Sequence, residues 1–271
     1  MLHCSRILAL TKRGTLCRVP IQRYFHQRLR AALSLLPRAL RFALYRSFVD
    51  CDLAPDPRLT LKIAQTKEEL EACFRLLHGA YVSSGFMRPD PSGMRVNLYH
   101  ALPTTTTLCA KFDGSVVGTI SLIRESVFGF PLQSIFDLHG IREKKGRIAE
   151  VSALAVDQRF RNTGGSILFP LMKFMYEYCI TFFDTRHLVI AVNPNRIEMY
   201  ESLLLFQRLM ESQVDNYDFA NGAPAVGASL DLQAATLANR CGGRRQRAGD
   251  GRSHRLDTPA RADTQRPTPG L

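Results

Sequence analysis

A chain of 271 residues, 45% hydrophobic and 22% charged, has material for one or two domains and a sizeable core. Its net charge of +12 sits at the ends: residues 1–58 carry +8 and residues 233–271 carry +5, leaving 59–232 at −1. This distribution argues against specific nucleic-acid binding by the folded part, because a reader of DNA or RNA carries its basic face on its own domain.

The seven cysteines are scattered, odd in number and without a Cys-x-x-Cys pair. That pattern fits neither a zinc site nor a disulfide framework, so no metal is expected and a reducing compartment is the default. Cys109 and Cys179 lie among apolar neighbours and read as small core residues. The apolar stretch Ile7–Leu10 is too short for a secretory signal, and no run reaches the length of a membrane span. A soluble or membrane-surface protein is expected.

From Gln27 to Phe48, Leu29, Leu33, Leu36, Leu40, Leu44 and Phe48 recur at helical spacing, with Arg28, Arg30, Arg38, Arg41 and Arg46 among them. Two readings of this basic amphipathic helix stand level. It lies on a lipid surface or an acidic partner, or it packs on the fold with its charges in water, kinked by Pro37. Asp50–Pro57 reads as a linker. Leu59–Gln65 alternates as a strand, and Thr66 with Glu69 forms a capping box for a helix buried through Leu70, Cys73, Phe74 and Leu77. Thr105–Phe112 and Val116–Arg124 are strands joined at Asp113–Gly114. Arg147–Val156 is a strand, Ser166–Phe183 a long apolar helix, His187–Val192 a short buried strand, Asn195–Leu209 a helix and Ala223–Leu232 a last strand. The pattern is mixed α/β. The tail after 232 is rich in Arg, Gly, Pro and Thr, cannot bury enough surface to order itself, and reads as disordered. The organisation is therefore 1–58 basic extension, 59–232 folded domain and 233–271 basic tail.

The sharpest chemical signal is Val151–Ser166, "VSALAVDQRFRNTGGS". An apolar strand runs into Arg161, Asn162, Thr163, Gly164, Gly165 and Ser166, and a long helix follows. Glycines allow a tight turn with several free N–H groups, and the helix N-terminus adds partial positive charge. Phosphate or pyrophosphate is the natural guest, with Arg161 as counter-charge. A plain strand-to-helix turn explains Gly-Gly alone, but not the arginine and the flanking elements together.

Arg161-x-x-Gly164-x-Ser166 after "LAVD" resembles the phosphate-holding loop of the GNAT acyltransferases, with Ser166 where that family carries Gly or Ala. "VNPNRIEMYESLLLF" (Val192–Phe206) resembles the family's later strand and helix, with Leu205 in place of its usual Gly. Within the GNATs the chain is similar to the N-acyl amino acid synthases, relatives of the acyl-homoserine lactone synthases. "AEVSALAVD", "NPNRIEMYESLLLFQRL" and "FANGAPAVGASLDL" carry that likeness, which covers roughly 59–232. The resemblance implies a GNAT-like mixed, mostly antiparallel central sheet flanked by helices. It implies an acyl-phosphopantetheine donor, either acyl carrier protein or acyl-CoA, and an amino-acid acceptor. A cytoplasmic location follows, at the inner membrane surface if the N-terminal helix lies on lipid.

The roles follow from the chemistry. The attacking amine must be neutral, so a base is needed. Glu150 is the candidate, against a plain carboxylate paired with Arg147 or solvated at a strand end. Backbone N–H groups near Leu154, Ala155 and Val156 are candidates to face the oxyanion. Tyr200 matches the family position that protonates the leaving thiolate, against a core tyrosine beside Ile197 and Leu204. In Tyr81–His100, Arg88 or Arg95 can pair with an amino-acid carboxylate, and Met87 and Met94 can line an acyl groove. Two alternatives stay open: a CoA-dependent N-acetyltransferase of a small or protein amine, and a non-catalytic acyl-pantetheine binding module.

Overall fold

The computed structural model describes residues 36–47, 56–161 and 163–235. Most of the expected linker, the first part of the amphipathic helix, Asn162 and all but the first three residues of the basic tail lie outside the described residues.

Helix α1 spans Arg38–Ser47 and begins directly after Pro37, whose carbonyl accepts from the Arg41 N–H, so the proline stands at the start of the described helix. Strand β1 (Leu59–Ile63) leads into α2 (Lys67–Ser83), where the Thr66 hydroxyl accepts from the Glu69 N–H at 3.2 Å. The return half of the expected capping box goes one residue further back. The Glu69 carboxylate takes the Gln65 N–H and pairs with Lys62 and Lys111, which hold its pKa down at about 2.

Strands β2 (Thr105–Phe112) and β3 (Ser115–Arg124) form the expected hairpin. Asp113 (φ 47°) and Gly114 (φ 78°) are both left-handed, as a two-residue turn matched to strand twist requires. A one-turn helix, α3 (His139–Arg142), precedes β4 (Arg147–Val156), and α4 (Leu168–Phe183) leads to β5 (Thr185–Val192). Then come α5 (Ile197–Leu203), β6 (Gln207–Arg208), β7 (Val214–Tyr217) and β8 (Ala223–Asp231).

Sheet order is β1-β2-β3-β4-β5-β8-β6, with β7 also paired to β8. Among the described strands only β4 and β5 run parallel, so the sheet is mixed and mostly antiparallel. Because side chains alternate across a strand, Leu108, Ala149, Leu188 and Ile190 face one layer with α4 and α5, while Ile148 and Val189 face the other. Cys109 packs on Cys73 of α2 on that second side, and Cys179 is buried in α4, both as core residues. Among the described residues no helix is long and apolar enough to cross a membrane.

The helix expected over Asn195–Leu209 is shorter. It stops at Leu203 because Leu205 adopts a left-handed backbone (φ 61°) and the Phe206 N–H folds back to the Tyr200 carbonyl at 3.1 Å. Leu205 thus takes the conformation that glycine adopts without strain, at a cost of about 1–2 kcal/mol. Leu205 is 38% exposed, so the buried part of its side chain offsets some of that. Leu205→Gly should therefore leave the melting temperature within a few degrees of the parent, where an ordinary Leu→Gly change lowers it further.

Candidate active site

The site exists because two neighbouring strands part. β4 pairs with β5 only from Arg147↔Thr185 to Glu150↔Val189. Beyond Glu150, β5 stays with β8 as far as Val192↔Val226, while β4 stays with β3. The β3–β4 register slips between Thr119 and Ser121, opposite a bulge where Ala153 takes a positive φ of 54°. The β5-facing edge of 151–156 is therefore left without a strand partner. A cleft of about 610 Å³ fills the gap and is walled by both strands.

At one end lies the glycine loop. Asp157 caps a short 3-10 turn over Gln158–Phe160 and pairs with Arg159. Arg161 turns back so that its Nε donates to the Val156 carbonyl at 2.9 Å, which places the guanidinium in the cleft wall. Thr163 and Ser166 share a hydroxyl contact at 2.6 Å. Gly164 (φ 65°) and Gly165 (φ 88°) are both left-handed, and a Cβ on Gly165 would run into the Phe169 ring. Gly165 and Leu168 line the cleft together with Leu154, Ala155 and Val156. Thr163, Gly164 and Ser166 are exposed and do not line the cleft. Gly165→Ala should lower stability by roughly 1–3 kcal/mol in thermal unfolding, more than Gly164→Ala, since only the first adds a collision to the backbone strain.

Further in, the two faces of the sheet contribute opposed groups. Glu150 lies on the second face, 1% exposed, with the Leu132 N–H donating to its Oε2 at 3.0 Å. Burial raises its pKa to about 8, and the Leu132 hydrogen bond only partly opposes this. The expectation of an Arg147 partner or a solvated strand end does not hold: Arg147 donates to the Phe183 carbonyl, and Glu150 sits in mid-strand under the 130–136 loop. Tyr200 comes from α5 on the first face, 8% exposed, with its ring edge-on to Phe206 at 5.9 Å. It is packed in the core, as one reading held, and also lines the cleft. Burial pushes its pKa up to about 12, with Tyr81 adding to the effect.

The structure separates the two arginine candidates. Arg95 lines the cleft, stacked 4.1 Å over the Tyr81 ring and donating to the Phe219 carbonyl. Arg88 is exposed and outside its wall. Met87 and Met94 are half-buried but also outside it; Phe86 takes the inward position. Sequence reasoning missed the aromatic lining around Arg95, namely Tyr81, Tyr217 and Phe219. No short motif marks it, because Tyr81 lies more than 130 positions before Tyr217 and Phe219 and only the fold brings them together. Among the described residues no group of three or more His, Cys, Asp or Glu side chains could hold a metal ion.

The family model of the N-acyl amino acid synthase FeeM matches residues 72–231. The chain belongs to the FeeM family. It is an acyltransferase. The solved structure of FeeM from uncultured soil microbes superimposes with a TM-score of 0.56 at 24% identity, covering 66% of this chain and 93% of that one. The acyl-homoserine lactone synthase LasI gives 0.50 at 15% identity over 64% and 90%. The CoA-dependent acyl-homoserine lactone synthase BjaI gives 0.50 at 20% over 75% and 94%. At these identities the likenesses are ones of fold. No curated protein matches. Arg95, Glu150, Arg161 and Tyr200 all fall inside the stretch shared with the FeeM family, whereas α1 falls outside it.

Proposed function

We propose that the chain moves a long-chain acyl group from the phosphopantetheine thioester of an acyl carrier protein or CoA onto the amine of an amino acid. The observation that carries this reading is the cleft between β4 and β5, which joins a basic glycine loop at its mouth to a buried carboxylate and a buried tyrosine within. The fit to the donor is chemical. A pantetheine arm carries amides suited to the unpaired edge of 151–156, and its phosphate suits Arg161 and the loop N–H groups. Tyr81, Phe86, Tyr217 and Phe219 supply apolar wall for an acyl or acceptor side chain. Arg95, the cation beside them, suits an amino-acid carboxylate.

In this reading Glu150, a base poised by burial near neutral pH, takes the amine proton as the C–N bond forms. Backbone N–H groups along the splayed edge near 154–156 face the developing oxyanion. Tyr200 gives its proton to the departing sulfur as the C–S bond breaks. Its raised pKa keeps it protonated until that moment. Solvent returns the proton to Tyr200 and removes that on Glu150. The FeeM-family membership supports acyl transfer to an amino acid; a cytoplasmic location near the inner membrane, where a greasy product would partition, completes the proposal.

The test is mass spectrometry of lipid extracts from cells expressing the chain, beside Glu150→Gln and Tyr200→Phe. New N-acyl amino acids with the parent chain and far less with the variants support the proposal and name chain length and acceptor. A folded, soluble protein that yields no new lipid argues for a short-acyl CoA enzyme instead.

A further inference from the structure

Helix α5, which holds Tyr200, is only seven residues long and has no side-chain N-cap hydrogen bond. A helix this short is marginal alone and is placed by what packs on it. Tyr200 points into the sheet core, and its neighbours Glu198 and Glu201, three apart, share another face of the helix. That face is gripped by α1. Arg38 pairs with Glu201, Arg41 pairs with Glu198 at 2.8 Å, and the Tyr45 hydroxyl donates to Glu198 at 3.2 Å. Glu201 is the unusual member, because its side chain is only 2% exposed and it takes a second cation, Arg208 of β6, at 3.0 Å. A carboxylate this buried holds a fixed position only while its cations do.

We infer that Glu201 is a positioning residue, and that α1 acts through it as a strap fixing where Tyr200 stands in the cleft. This rests on the proposed role of Tyr200 as the proton donor. The strap lies outside the family match, which begins at residue 72. Its grip on α5 also gives the basic helix a structural partner, which the sequence left open between lipid, an acidic protein and the fold itself.

The experiment uses the full chain with palmitoyl carrier protein as donor and a mixture of the common amino acids as acceptor. Arg38→Ala with Arg41→Ala should lower kcat about tenfold, since small displacements of a reacting group cost rates of that order, with donor KM unchanged. Arg38→Lys with Arg41→Lys should recover most of it. In a Tyr200→Phe background the alanine pair should change kcat by less than about twofold, because the group it positions is gone. If the alanine pair fails to fold, Arg38→Gln alone, which leaves Arg208 on Glu201, carries the same comparison. A loss of equal size in both backgrounds, a loss confined to KM, or no loss overturns the strap alone. A parent chain without turnover, or a Tyr200→Phe variant as active as the parent, removes the underlying assignment and the strap with it.

Discussion

Glu150→Gln should slow transfer severely and at the same time make the protein harder to unfold in alkaline buffer. The amide keeps an oxygen for the Leu132 N–H at nearly the same volume, so the core around it need not move. It cannot take a proton from the amine, and losses of about 10²–10⁴ in kcat/KM are usual for removing a general base. The stability gain follows from linkage. Glu150 has its folded pKa raised from 4.5 to about 8, so between these values the folded chain holds a proton that the unfolded chain releases. Stability of the parent protein therefore falls as pH rises through that window and levels off above it. The glutamine variant has no such slope from this site. Its advantage in denaturant unfolding should be near zero at pH 4.5 and reach roughly 2–4 kcal/mol by pH 9. In the parent enzyme, kcat/KM should rise towards a plateau with an apparent pKa about 8. Parallel stability curves for parent and variant from pH 5 to 9 would mean the carboxylate is not held neutral by burial.

Tyr200→Phe should act on turnover and leave donor capture alone. The ring stays in place against Phe206 and only the hydroxyl goes. A departing thiolate without its proton donor should slow kcat by about 10²-fold, the lower range for a general acid. Arg161→Ala should do the reverse, raising donor KM with a smaller effect on kcat, because in the proposed reading the loop holds the donor's phosphate, which does not react. Since burial holds the Tyr200 pKa at about 12, the parent should show no alkaline fall in rate from this residue below about pH 11. Equal loss of kcat and of donor affinity in both variants would mean that the two roles are misassigned.

Much of this arrangement was legible in the sequence, and the limits have physical causes. Arg147–Val156 was readable to the residue, because its largely apolar run stops at the charged Asp157 that caps the next turn. Glu150 was visible within it. Its burial was not, since that depends on the 130–136 loop folding over the second face. The end of α5 was misplaced because helical periodicity continues through Leu204, while the chain leaves the helix at a left-handed leucine that no propensity favours. Composition could not rank Arg88 against Arg95. The structure does so through the Arg95 N–H bond to the Phe74 carbonyl, which ties that residue to α2 and turns its side chain inward. The amphipathic N-terminal helix announced an apolar and a basic face. Its acidic partners lie about 160 positions away, beyond the reach of any local pattern.

The parting of β4 from β5 has a consequence for the mechanics of the whole molecule. Among the described residues, four residue pairs, Arg147↔Thr185 to Glu150↔Val189, are the only strand pairing that stitches β1–β4 to the β5, β8 and β6 side of the sheet. The fold is thus two half-sheets joined like a partly closed zipper, with the slider stopped at the proposed base. A donor arm bonded along 151–156 would serve as the missing teeth. Its binding would then count as folding, and the resting enzyme would be the looser of its two states by the free energy with which it holds its donor.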